Sequence, residues 1–141
     1  MFRYHLKIEY DGRPYVGWQR QKKGMSVQQS IEEAVFRFSG EQAQLFVAGR
    51  TDKGVHALQQ SAHLDLKNDW GVRQVRDAIN AQLRPHPISI LSAEIVNEEF
   101  HARFSATERA YVYRITNRRS PITFDKGLSW WVPMPLDLEP M

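Results

Sequence analysis

Phe2, Tyr4, Leu6 and Ile8 alternate with Arg3, His5, Lys7 and Glu9, which is the two-residue period of a half-buried strand. Asp11-Gly12 and Arg13-Pro14 break that pattern with turn chemistry. The loop that follows, through Gly24, interleaves Tyr15 and Trp18 with Arg20, Lys22 and Lys23. Such a loop suits base stacking and phosphate neutralisation, and it equally suits Trp18 packing down as an anchor. Ser26 and Gln29 read as a capping box, and Val27, Ile31, Ala34, Val35 and Phe38 recur at helical spacing until Gly40. A second strand is expected over Ala43 to Ala48. A third follows where Ala62, Leu64 and Leu66 alternate with Ser61, His63 and Asp65. Asn68-Asp69 offers a cap for a second helix marked by Val72, Val75, Ile79 and Leu83. Arg84-Pro85-His86-Pro87 stops it. Ile88 to Val96 reads as a fourth strand whose apolar phase shifts between Ile90 and Leu91, the mark of a bulge. Tyr111, Tyr113 and Ile115 fall on one face of a further strand, with Tyr113 expected in the core. Trp130-Trp131 and the prolines after it suggest no closing element.

The order β-α-β-β-α-β is that of an α+β, ferredoxin-like or RRM-like sandwich with an antiparallel sheet, here with additional strands. Strands two and three should pair like a hairpin. The fold hosts many functions and assigns none by itself. A chain of 141 residues fits one domain that buries its own core. It has no cysteine, so disulfides and thiolate metal sites are excluded. Its start alternates polar and apolar residues instead of forming a signal-peptide block, and no run reaches the length of a membrane span, so the expected location is cytoplasmic. Net charge is +3, and 13 of the 19 basic residues are arginine. Arginine's planar fork suits phosphates and base edges, a weak pointer toward nucleic acid.

The chemistry concentrates in Ala48-Gly49-Arg50-Thr51-Asp52-Lys53-Gly54-Val55-His56-Ala57. One carboxylate sits between two basic residues and two glycines on a strand-end loop, a common place for reacting groups. Arg50 and Lys53 nearby would favour its ionised form, and an ionised, oriented carboxylate serves as nucleophile or base. Spacing alone fits a solvated turn as well. His5, His56, His63, His86 and His101 show no zinc-type spacing and read as surface or capping residues. Neither a metal site nor an anchor for an organic cofactor is visible.

Gly49-Arg50-Thr51-Asp52-Lys53-Gly54-Val55-His56-Ala57 resembles the signature of the TruA-type tRNA pseudouridine synthases. Three further segments resemble the same family in the same order. They are Tyr10-Asp11-Gly12-Arg13-Pro14-Tyr15-Val16-Gly17-Trp18-Gln19-Arg20-Gln21, Phe100-His101-Ala102-Arg103-Phe104-Ser105-Ala106, and Arg109-Ala110-Tyr111-Val112-Tyr113. Lys53 departs from the alanine of many members and leaves the aspartate untouched.

The resemblance implies an isomerase that turns uridine into pseudouridine in tRNA, with positions 38, 39 and 40 of the anticodon stem-loop as the family's usual targets. It makes Asp52 the nucleophile and Tyr111 the ring against the target base. Arg50 would pair with Asp52 or steady the flipped nucleotide, and Arg103 would bind phosphate or brace the Asp52 loop. No cofactor or metal is implied, and the family's homodimer is carried over. Family members are considerably longer, so residues 1–117 would be the ferredoxin-like half that holds the aspartate loop, and 118–141 a connection toward a second half. A non-catalytic RNA-binding module is the alternative. An aspartate-dependent hydrolase lacks a second carboxylate beside Asp52.

Overall fold

The computed structural model describes all residues from Met1 to Met141, which divide into two compact units, Met1–Thr107 and Glu108–Met141. The first is built from β1 (Phe2–Tyr10), α1 (Val27–Ser39), β2 (Phe46–Val47), β3 (Ala57–Leu66), α2 (Val72–Leu83) and β4 (Ile88–Val96). Its four strands lie in the order β2-β3-β1-β4, every pair antiparallel. This is the ferredoxin-like α+β arrangement that the element order implies.

The alternation in β1 works as expected. Tyr4, Leu6, Ile8 and Tyr10 are buried, and they share one core with Val27, Ile31, Ala34 and Val35 of α1 and Val75, Ile79 and Leu83 of α2. The Ser26 hydroxyl caps α1 by accepting from the Gln29 amide, and Gly40 ends it in the left-handed region at φ 73°. In β4 the register against β1 passes from Lys7↔Ser92 to Ile8↔Ile90, so Leu91 is the extra residue of a bulge.

Several details differ from the sequence expectation. The second strand shrinks to Phe46–Val47, whereas the third begins at Ala57, four residues earlier than its alternation suggests. α2 has Gly71 as its N-cap with no side-chain cap; Asp69 instead accepts from the Tyr4 hydroxyl and the Gly71 amide. His63 is buried on the sheet face away from the helices, where Phe46 stacks on it with ring centroids 5.0 Å apart. Only Ile115–Asn117 of the expected fifth strand is extended and paired, so Tyr111 and Tyr113 lie outside it.

In the second unit, β5 (Ile115–Asn117) pairs in parallel with β6 (Trp130–Val132). The tryptophan pair therefore does form an element. Asn117 donates to the carbonyls of Val132 and Met134, and the Trp131 indole donates to the Arg118 carbonyl. Tyr113, expected in the core, is 89% exposed. No helix is long and apolar enough to cross a membrane.

Candidate active site

The Asp52 loop joins β2 to β3 and is held from several directions. Gln60 on β3 donates its amide to the Gly49 carbonyl at 2.7 Å and approaches the Tyr10 hydroxyl at 3.4 Å. The Tyr10 hydroxyl, at the end of β1, lies 2.7 Å from Thr51 Oγ1. Burial pushes the Tyr10 phenol above its usual range, so it keeps its proton at neutral pH. The Thr51 carbonyl accepts from the Trp18 amide at 3.0 Å, and the Asp52 carbonyl accepts from the Val55 amide at 3.1 Å.

The segment between Asp11 and Met25 forms the other jaw. Gly12 is pressed against the backbone of Gly54 and Val55, where any Cβ would overlap the Val55 carbonyl. Gly17, at φ 121°, lies so close to Thr51 and Asp52 that a Cβ would stand 2.9 Å from the Thr51 oxygen. The Gly12 amide donates to His56 Nδ1 at 2.9 Å, tying the far end of the loop. This jaw is itself fixed to α1, because the Gly17 and Trp18 carbonyls accept from the Val27 and Gln28 amides of the first turn. Trp18 is 1% exposed and packs near Tyr10, with centroids 5.9 Å apart. Of the two readings of this loop, the anchor holds for Trp18.

Within this brace the Asp52 side chain is exposed, as are Arg50 and Lys53. No ion pair joins Asp52 to either of them. The basic flanks therefore contribute a diffuse positive field that water screens, and the loop's order comes from the backbone bonds instead. A strongly perturbed carboxylate in the facing segment is Asp11, whose hydrogen bonds from Arg13 lower it to about 2.

Arg103 belongs to a segment fastened over the outer sheet face. Arg3 grips Asp65 with two bonds of 2.8 Å and donates to the Glu98 and Phe100 carbonyls. His63 Nδ1 accepts from the Ala102 amide at 3.0 Å. Burial lowers His63 to about 4, so the ring is neutral and able to accept. Arg103 itself is exposed, its guanidinium carbon 5.6 Å from the Phe104 ring centroid. Tyr111 lies in the second unit and is 69% exposed. No group of three or more His, Asp or Glu side chains converges as a metal set.

Against known families, residues 7–105 match the profile described as tRNA pseudouridine synthase. That span holds every residue of the braced loop and both jaws, and Arg103 as well, whereas Tyr111 lies beyond it. The chain belongs to the tRNA pseudouridine synthase family. Its similarity to proteins named tRNA pseudouridine synthase A runs over the whole sequence. It is 61% identical to one from Methylorubrum extorquens over 141 residues, covering 100% of this chain and 56% of the relative. One from Paramagnetospirillum magneticum is 54% identical over 141 residues, covering 100% and 55%. One from Rhodospirillum rubrum is 56% identical over 137 residues, covering 97% and 49%. The chain thus spans about half the length of the curated relatives it matches.

Sequence reasoning singled out Asp52, Arg50 and Arg103 but missed the residues that hold them. Gly12 was visible as a turn glycine and Gly17 only as part of a family-like segment; that each is a close-approach position depends on a segment about forty residues away. Tyr10 read as part of a strand, and Gln60 carried no signal at all.

Proposed function

We propose that this chain is the aspartate-bearing part of a tRNA pseudouridine synthase, with Asp52 as nucleophile. The observation that carries the reading is an exposed carboxylate on a loop whose backbone is pinned by Gln60, Tyr10, Trp18 and Gly12, inside the span that matches the family. Pinning the backbone while leaving the side chain open is what a nucleophile needs, because orientation lowers the barrier only if the group does not have to be ordered on binding.

Uridine and pseudouridine are isomers, so the step consumes no cofactor. Asp52 attacks the target nucleotide, the N-glycosidic bond breaks, and the base turns and rejoins the ribose through carbon five. The hydrogen on carbon five leaves as a proton, N1 gains one, and the carboxylate is released. The target must first leave its stack, which requires a surface to receive it. Tyr111 supplies a ring for that purpose, Arg50 steadies the extruded nucleotide, and Arg103 binds a backbone phosphate. The substrate is the anticodon stem-loop, and a homodimer in the cytoplasm is the working assembly.

The test uses the longest reading frame that carries these residues and tRNA with tritium at carbon five of uridine. Wild type releases tritium, and a folded Asp52→Ala variant that still binds tRNA releases none. If neither releases tritium while both bind, the chain is an RNA-binding module instead.

A further inference from the structure

The end of β1 and the start of β3 supply a second layer behind the nucleophile. We infer that Tyr10 and Gln60 are positioning residues, a hydrogen-bonded relay that fixes Thr51 and thereby the peptide that carries Asp52. The inference rests on Asp52 being the nucleophile and goes beyond it by naming what aims it.

The geometry links the three residues and orients the Gln60 end. The Ser61 amide donates to Gln60 Oε1 at 3.2 Å, which fixes which end of the Gln60 amide carries its protons. Those protons go to the Gly49 carbonyl and the Tyr10 oxygen. The Tyr10 hydroxyl in turn lies 2.7 Å from Thr51 Oγ1, a bond in which either oxygen can donate. Two neighbouring strands thus grip the loop at Gly49 and Thr51, on either side of Arg50 and one residue before Asp52. Thr51 is gripped twice, since its carbonyl takes the Trp18 amide. Gly17 lies close against the Thr51 and Asp52 backbone, which leaves little room for the peptide to shift. Tyr10 is 3% exposed while Thr51 and Gln60 are half-buried, so water competes little at the centre of the relay.

Loss of the relay should lower rate and not affinity. A displacement of about 1 Å in a reacting group costs about a hundredfold in rate. In the longest reading frame, Tyr10→Phe and Thr51→Val should each slow single-turnover tritium release by about tenfold to a hundredfold. The Kd for tRNA should change less than about twofold, because both hydroxyls are engaged with each other inside the protein. Thr51→Ser, which restores the hydroxyl, should recover most of the rate. The double variant should be no slower than the slower single one, since both remove the same bond. Wild-type rates for both single variants, with Asp52→Ala inactive, would overturn the relay and leave the nucleophile standing. Full activity in Asp52→Ala would overturn the nucleophile itself. If Tyr10→Phe fails to fold, the Thr51→Val and Thr51→Ser pair decides the matter. A slow Thr51→Val that serine does not rescue counts against the relay.

Discussion

The Asp52 loop and the Tyr111 segment carry side chains of similar exposure on backbones held in very different ways. Around Asp52, segments some forty residues apart in sequence close on each other, with bonds from outside the loop at Gly49, Thr51 and His56. Around Tyr111 the backbone is irregular, and regular pairing begins only at Ile115. The difference suits the roles proposed for them, since a nucleophile needs a fixed main chain, whereas a ring that receives a base would work through its face and tolerate adjustment. Substitutions should then separate cleanly. Changes behind Asp52 act through the fold or the rate, and changes at Tyr111 act on activity alone.

The largest expected effect is at the contact between the jaws. Gly12→Val places side-chain atoms where the Val55 carbonyl lies, and the jaws must part. A loss of roughly 3 kcal/mol or more of stability is expected, read as a lower urea midpoint. An unchanged midpoint would mean that the jaws do not bear on each other. Tyr111→Ala gives the opposite signature. Its ring is mostly exposed, so the melting temperature should hold while tritium release falls by about a hundredfold.

A third effect is on pH. His63 lies at about 4 when folded against 6.5 for the free side chain, chiefly because it is buried. The unfolded chain therefore binds a proton that the folded chain refuses. Stability is full above pH 6.5 and falls as pH drops toward 4, by up to about 3 kcal/mol. His5, also lowered chiefly by burial, adds in the same direction. Arg3, His101 and His5 around His63 oppose its protonation, and Asp65 alone favours it. His63→Asn keeps an acceptor for the Ala102 amide and should flatten the slope of urea midpoint against pH. An unaltered slope would assign the titration to other groups. Asp11→Asn should do least, because its pairing with Arg13 is at the surface. A barely measurable change in melting temperature is expected, and a large one would reveal a role for Asp11 in seating His56, 3.3 Å away.

The legible parts of the fold were those encoded within a few residues of themselves. The alternation of β1, the Ser26 cap and the Leu91 bulge all follow from local period and local hydrogen bonding. Burial of His63 was not legible, because the lid over it comes from Phe100 to Ala102, almost forty residues on. The fifth strand was over-read for a related reason. Tyr111 and Tyr113 have the right period, but extended backbone becomes a strand only where a neighbour accepts its hydrogen bonds, and β6 offers that from Ile115 onward. At the site, Asp52 stood out through its motif, but the brace required knowing that Gly12 meets Val55 and Tyr10 meets Thr51.

The central claim is that the Asp52 carboxylate, held on a fixed backbone, makes the covalent bond to the target nucleotide. Asp52→Asn removes the charge and keeps the shape, and the side chain is exposed, so folding should be unaffected. The decisive measurement is single-turnover tritium release from 5-tritiated tRNA by that variant and wild type, alongside their tRNA affinities. The account predicts normal folding, normal binding and no release from Asp52→Asn. Release near the wild-type rate would contradict it.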